Sequence, residues 1–487
     1  MIKFNDILSY FKSSKILKGI IWTFLGTLAA KGFGFLAIFI VARQLSVDDF
    51  GSVGVLQSYI TTFTLFSLAS FGVTATKYIA VTIDVDIKKT SEIFSLIRIS
   101  SGILAVIVLI ASLLFNKQLC SLLTGSSVNS EAMFICSIAV FFASLNGLQI
   151  GALTGLESFK SVSIVNIVNG IISFPLIIIL TRYFQVKGFA IAVLITSFSI
   201  WLCSAILVQS ILKKRKVYFS LKNIKNNLDV IWKFSLPAFI SSLLVNPVVL
   251  ICNSILIKNN KNGLYEMGIF NASNNYSQIS LILLGIIGQV FYPYAMKNFG
   301  QGNKKFDFVN IVHPLFFGLM ICLPTIFLPE LFSSLFGSKY HNNDMYLATV
   351  IVSGFTVINA QKQGIARNFA AGNFMWFSVI SNGFWGLVAI GFSYGLVDMG
   401  AIGRGIAFFA AYFLNTVVFI PYFIKNNLVE RRLVLSWYNL LYLLIAIGGG
   451  TLYFIHISLF FRVLLLLFSI LLIIYTMRKW YLSYTNS

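Results

Sequence analysis

The sequence predicts an all-α integral membrane protein of about fourteen transmembrane helices, built as two six-helix lobes related by a repeat plus two additional C-terminal helices. Three observations predict it. The 487 residues are 58% hydrophobic and only 10% charged, and the mean hydropathy of +0.87 lies far above that of soluble domains. The apolar residues run in stretches of about twenty without strict alternation, which is the length of a bilayer-spanning helix and not the pattern of a barrel strand. A helix also satisfies its own backbone, which hydrocarbon demands. Finally, the chain repeats itself across a polar linker.

Taken in order, the candidate spans lie near 19–41, 53–76, 93–115, 132–155, 161–181, 188–212, 234–257, 267–295, 308–332, 346–369, 375–397, 401–424, 438–455 and 459–477. The first, Gly19 to Val41, is too long for a cleavable signal and is followed by Arg43 and Gln44 instead of small residues. Charge supports the count. With the N-terminus in the cytoplasm, 26 of the 36 basic residues fall on the inner side and nine on the outer, with Lys31 in mid-span. That is the positive-inside pattern, and the even number of spans returns the C-terminus to the cytoplasm. It also accounts for the net charge of +21 without nucleic acid, the run Lys213 to Lys216 being a topology signal.

Cys120, Cys136, Cys203, Cys252 and Cys322 are scattered without CxxC or histidine pairing, so neither a disulfide framework nor a metal site is indicated. His313, His341 and His456 lie apart, and no catalytic constellation can be assembled from them. The reading is of a membrane transporter without cofactor, not of an enzyme.

The linker at 213–230 separates a first lobe, 1–212, from a second, 231–426; a final helix pair, 437–480, lies outside the duplication. IWKFSLPAF from Ile231 echoes IWTFLGTLA from Ile21, and FGSVGVLQSY from Phe50 aligns with MGIFNASNNY from Met267. In that register Gln57, Ser58 and Thr61 correspond to Asn274, Asn275 and Gln278. Six helices precede each boundary, so the two copies share one orientation in the membrane, related by an axis along its normal.

Between Met267 and Met296 the eighth span carries Asn271, Asn274, Asn275, Gln278 and Gln289 on one helical face. An amide without a partner in hydrocarbon costs on the order of several kcal/mol, so the stripe faces protein, a watery cavity or a polar ligand. Amides that both donate and accept suit sugar hydroxyls; the competing reading is interhelical hydrogen bonding.

Lys31 sits midway through the first span with Thr23, Thr27 and Gly34 on its face. A charge there costs roughly 2.5–3.5 kcal/mol on insertion scales, and an ammonium in a cavity is a natural partner for a lipid diphosphate. Snorkelling or pairing with a carboxylate is the alternative. Span ten offers Asn359, Lys362, Gln363 and Arg367 on one face; span seven offers Ser242, Asn246 and Asn253, with Pro237 and Pro247 interrupting the helix. Span five adds Ser163, Asn166, Asn169 and Ser173, and Lys77 and Arg98 sit toward the cytoplasmic ends. Carboxylates stay near the membrane faces, among them Glu266, Glu330 and Asp344 outside and Asp84, Asp86, Glu92 and Glu157 inside, so no proton or sodium site is evident.

VARQLSVDDFGSVGVLQSY (Val41 to Tyr59), GVTATKYIA (Gly72 to Ala80), FSLPAFISSLLVNPV (Phe234 to Val248) and MGIFNASNNYSQI (Met267 to Ile279), together with the span order, carry a resemblance to a family. The chain resembles the polysaccharide (Wzx-type O-antigen and capsule repeat-unit) flippases of the multidrug/oligosaccharidyl-lipid/polysaccharide exporter superfamily. The resemblance implies two lobes around a central cavity, alternating access, and a bacterial inner-membrane location. It implies as substrate an undecaprenyl-diphosphate-linked oligosaccharide moved to the outer leaflet for O-antigen, capsule or exopolysaccharide synthesis. The implied partners are that substrate, membrane lipids and polysaccharide polymerase machinery. The last two helices depart from the commoner twelve-span pattern and are shared with peptidoglycan lipid-precursor flippases.

The expected substrate-binding residues are Lys31, Gln57, Ser58, Thr61, Asn246, Asn271, Asn274, Asn275, Gln278, Asn359, Lys362 and Arg367. The alternatives are a drug or cation exporter, which would want mid-span carboxylates; a membrane polysaccharide polymerase, which would want a large outer loop; and a scaffold whose polar faces are sealed by packing.

Overall fold

The computed structural model describes the backbone of residues 15–67, 71–124, 129–220, 228–231, 244–298, 302–371 and 375–486, and their side chains except at 15–20, 23, 65–67, 286–298, 370–371 and 375–376. Pro237 and Ser242 lie outside the described residues, as do the side chains of Thr23 and Gln289. The long helices are α1 Lys15–Gln44, α2 Val47–Ser67, α3 Val73–Thr82, α4 Ile87–Leu114, α5 Ser130–Gly155, α6 Phe159–Lys214, α7 Asn246–Asn259, α8 Gly263–Asn298, α9 Lys304–Phe327, α10 Asn343–Ala371, α11 Met375–Gly395, α12 Gly400–Lys425, α13 Trp437–Thr451 and α14 Leu459–Thr485. No strand occurs among the described residues.

Nine helices among the described residues are long and apolar enough to cross a bilayer by composition. One of them, the 56-residue α6, supplies two crossings. Leu180 and Gly188 would stand about 12 Å apart on a straight helix, yet a Cβ added to Gly188 would meet the Leu180 carbonyl oxygen at 1.9 Å. The chain reverses at Gln185, whose φ of +49° breaks the helix. The remaining spans run through α2, α7, α8 and α10, the helices in which the polar residues are concentrated. With them the fold is the expected all-α membrane architecture of about fourteen helices.

Two compact units divide the chain, Met1–Ser254 and Ile255–Ser487, with the change-over inside α7. Within the first, small residues let helices approach closely, which matters because lipid tails remove the hydrophobic drive and leave packing to hold helices together. Gly26 of α1 abuts Ser163 of α6, whose Oγ donates to the Trp22 carbonyl at 2.6 Å. A Cβ on Gly151 of α5 would lie 2.1 Å from the Gly72 carbonyl oxygen at the start of α3. Thr76 donates to both the Gly72 and Gly151 carbonyls at 3.0 Å. Ile79, Phe94, Leu148, Val162 and Leu212 form the core between α3, α4, α5 and α6. After α6 the chain lies along the start of α4, where the Tyr218 and Ser220 amides donate to Ser91 and Ser95 at 3.3 and 2.9 Å.

In the second unit α9 and α10 meet through Gly318 against Ala360 and Gly364 against the Asn310 carbonyl. The final pair α13–α14 packs on α9 through an aromatic cluster, with the Phe308 ring 5.4 Å from Trp480 and 5.3 Å from Tyr481. Arg462 at the start of α14 grips Glu330: its Nη1 donates to Oε2 at 3.0 Å and to the Phe327 carbonyl at 3.1 Å, and its Nη2 to Oε1. Leu440, Leu444, Ile447, Phe460, Phe461 and Phe468 are exposed on this pair, a surface that belongs in lipid.

Candidate functional site

Within the first unit the predicted residues separate into packed and presented groups. Ser58 of α2 donates to the Gly54 carbonyl of its own helix at 2.9 Å and accepts from Asn253 Nδ2 of α7 at 3.2 Å, so it ties two helices together. Gln57 is half-buried and Thr61 is exposed. Asn246 is half-buried at the first position of α7, followed by Pro247 at a place where the missing N–H is not needed. On α1, Thr27 faces α6 and accepts from Asn166 Nδ2 at 3.4 Å. Lys31, one turn further on, is exposed and makes no hydrogen bond or ion pair among the described residues. Next to it a Cβ on Gly34 would meet nothing within 4 Å, so this stretch of α1 is open.

The second unit repeats the separation on α8. Asn275 is buried and donates to the Asn271 carbonyl at 2.8 Å, one turn back on the same helix. Asn271 is also buried, Asn274 is half-buried and Gln278 is exposed. Intervening polar residues point away from this face into the unit: Ser273 reaches Met345 and Thr349 of α10, both at 3.3 Å, and Ser277 accepts from Thr356 at 2.7 Å.

Two clusters on α10 absorb the rest. Lys362 donates to Asn415 Oδ1 of α12 and lies 5.8 Å from the centre of the Tyr412 ring. Asn415 in turn donates to the Ser381 carbonyl of α11 at 2.7 Å, and Asn359 donates to the Tyr412 hydroxyl at 3.3 Å. The partners of Lys362 among the described residues are thus an amide oxygen and an aromatic face, not a carboxylate, which leaves its positive charge uncompensated. Arg367, 8% exposed, is held differently: Nε donates to Asn310 Oδ1 at 2.7 Å and Nη2 to the Asn310 carbonyl at 2.9 Å. Asn310 donates to Asn368 Oδ1 at 2.7 Å, and Asn368 to the Leu428 carbonyl at 2.6 Å, closing a chain that pins α9, α10 and the segment after α12.

The sequence reading passed over Tyr412 and Asn415, the partners of Asn359 and Lys362, Ser381, which bonds Asn415, and Asn310, the partner of Arg367. Each is a polar residue in an apolar span, the same signal that picked out α8; Tyr412 and Asn415 share a face of α12 with Thr416, while Asn310 and Ser381 lie on other helices. Among the described residues no group of three or more histidine, cysteine or acidic side chains is placed to hold a metal ion.

The arrangement can therefore present amides, a hydroxyl and ammonium groups from apolar helices. Residues 16–299 match the family model described as polysaccharide biosynthesis protein. No curated protein matches the sequence. Among solved structures, the chain is similar to the lipid II flippase MurJ in an inward closed conformation, at 14% identity and a TM-score of 0.70, over 93% of this chain and 98% of that one. It is also similar to an inward-facing multidrug-resistance MATE family transporter of the MOP superfamily, at 17% identity and a TM-score of 0.66, over 82% and 94% of the two chains. A MOP-superfamily transporter from Pyrococcus furiosus is similar at 17% identity and a TM-score of 0.59, over 84% and 95%. The structural likenesses establish the fold, and the family match, which covers more than half of the sequence, establishes that the chain belongs to the polysaccharide biosynthesis protein family.

Proposed function

We propose that this protein flips an undecaprenyl-diphosphate-linked oligosaccharide repeat unit from the cytoplasmic to the outer leaflet of a bacterial inner membrane by alternating access, with both termini cytoplasmic. The observation that carries the reading is the pairing of exposed hydrogen-bonding residues, Thr61 and Gln278, at the same repeat position with cations that have no carboxylate partner among the described residues, Lys31 and Lys362. A glycan needs donors and acceptors along its route, and a diphosphate needs positive charge. In this reading Gln57, Asn246, Asn274 and Asn359 line the sugar path with them, while Ser58, Asn271, Asn275 and Arg367 hold the helices that present it. The lipid tail stays in the bilayer, and a polysaccharide polymerase takes the product at the outer face.

A second reading is favoured by one feature. The added pair α13–α14 and the likeness to MurJ over nearly the whole of both chains suit a flippase of peptidoglycan lipid precursor. One experiment separates the two. Depleting the protein and tracking lipid-linked glycan by leaflet is expected to leave the polymer's repeat unit accumulated on the cytoplasmic side while peptidoglycan precursor is delivered normally. Unchanged outward delivery of the repeat unit, in cells without a redundant flippase, contradicts the proposal.

A further inference from the structure

A groove of about 490 Å³ opens on the first unit between α4, α5 and the second half of α6, away from the residues assigned to the sugar path. Its walls include Leu202 and Ile206 of α6, both exposed, and the row Phe94, Arg98, Gly102 of α4 that borders it continues one turn on into exposed Val106. Such a face belongs against lipid. Three polar residues nevertheless line the groove: Arg98 of α4, Gln209 of α6, and Gln149 of α5, whose Oε1 accepts from the Ser204 hydroxyl of α6. Arg98 is exposed and makes no hydrogen bond or ion pair among the described residues.

Where these polar groups sit along the helices says what they meet. Arg98 lies about one turn beyond Ser95, whose hydroxyl accepts from the Ser220 amide in the segment that follows α6. Gln209 lies one turn before Lys213 and Lys214, which end α6, and Arg215 just beyond pairs with Asp84 at 3.1 Å. Both therefore stand at the basic end of the unit, where helix surface passes from water to hydrocarbon. One turn deeper on α4 is Gly102, where an added Cβ would meet no atom within 4 Å, so the floor of the groove is open below Arg98. A guanidinium at the rim, an amide beside it and an open apolar trough below match an anionic headgroup with an acyl chain hanging beneath it.

We propose that this groove binds an acidic phospholipid, with Arg98 on the phosphate, Gln209 on the glycerol or headgroup hydroxyls, and an acyl chain lying over Gly102. Phospholipid is the occupant to choose over the polyprenyl substrate, because the groove opens on the lipid-facing side and acidic phospholipids are present there at far higher concentration. The inference stands independently of the transported substrate.

The test uses the full-length protein in nanodiscs of phosphatidylcholine doped with phosphatidylglycerol, with retained lipids counted by native mass spectrometry. Wild type is expected to retain phosphatidylglycerol in preference to phosphatidylcholine. Arg98→Gln is expected to lower that preference roughly tenfold, the scale of one charge-assisted contact, and Arg98→Lys to preserve most of it. Gly102→Leu, which fills open space without touching the charge, is expected to lower retention of both lipids. Retained lipid that mirrors the bulk composition in wild type, equal preference in wild type and Arg98→Gln, or undiminished retention in Gly102→Leu each overturns the proposal. So does displacement of phosphatidylglycerol by an equimolar polyprenyl phosphate.

Discussion

Ser58 and Asn275 occupy the same repeat position, 217 residues apart, and each donates its side chain to the backbone carbonyl four residues earlier, Ser58 to Gly54 at 2.9 Å and Asn275 to Asn271 at 2.8 Å. The residue after each is a buried tyrosine that bonds outside its own helix, Tyr59 to Ser137 at 3.0 Å and Tyr276 to the Phe332 carbonyl. Three positions after each, Thr61 and Gln278 are exposed. The duplication is thus one of geometry as well as of sequence. At each copy the inner polar group is satisfied by its own helix and the outer one is presented, so only the outer one is available to a ligand without breaking a packed contact.

That division predicts opposite phenotypes along one stripe. Gln278→Ala and Thr61→Ala are expected to lower the rate of glycan translocation about three- to tenfold with unchanged thermal unfolding, each losing one hydrogen bond to substrate. Asn275→Ala is expected to cost about 1 kcal/mol of stability with little effect on translocation. Transport by reconstituted protein and melting of the same preparations check both.

Lys31 is predicted to act through its charge. Because it has no partner among the described residues, Lys31→Ala is expected to leave unfolding unchanged while lowering translocation at least about tenfold, the scale of a lost charge-assisted contact to a phosphate. Lys31→Arg is expected to retain most activity. A Lys31→Ala variant with wild-type transport would assign the lysine to the lipid interface instead.

Arg367 is predicted to behave as a fastener. Removing its guanidinium leaves Asn310, fully buried, without two of its contacts, so Arg367→Ala is expected to destabilise by about 2–3 kcal/mol. Arg367→Lys should recover little, since an ammonium on a flexible stem does not reproduce the two-point contact with the Asn310 side chain and carbonyl. Denaturant melts of the purified variants decide it.

The Arg462–Glu330 pair is predicted to latch the C-terminal helices. Both side chains are mostly buried, at 6% and 20% exposure, so Glu330→Ala leaves an uncompensated cation and is expected to cost about 3–5 kcal/mol. Replacing both partners by apolar residues, Arg462→Met with Glu330→Leu, is expected to recover much of that loss. Protease sensitivity of the 452–458 connection, measured alongside melting, shows whether the loss is local to α13 and α14.

Much of this was readable from sequence, for physical reasons that differ by residue. The spans follow from hydrocarbon thickness, and the repeat register that pairs Gln57, Ser58 and Thr61 with Asn274, Asn275 and Gln278 follows from alignment of the chain with itself. What could not be read was the destination of each polar group. Asn275 and Gln278 share a helical face, yet one amide turns back to its own carbonyl and the other does not, because a short asparagine reaches the carbonyl at i−4 and competes with any external partner. Lys362 and Arg367 likewise look equivalent on span ten. Their separate fates depend on Asn415 and Asn310, residues 53 and 57 positions away, and on the helix packing that brings them near. The loop expected between spans five and six proved to be a reversal at the single residue Gln185.

The central claim, that the exposed members of the duplicated stripe contact the lipid-linked glycan, is tested most directly by cysteine labelling with substrate protection. Cys120, Cys136, Cys252 and Cys322 are buried and Cys203 is partly exposed, so a background lacking Cys203 suffices. In it, Thr61→Cys and Gln278→Cys are expected to react with a membrane-impermeant thiol reagent and to be protected by lipid-linked oligosaccharide, while Asn275→Cys reacts slowly and is indifferent to substrate. Protection of all three positions from reagent in the absence of substrate, or reaction at Thr61→Cys and Gln278→Cys that substrate leaves unchanged, would contradict the account.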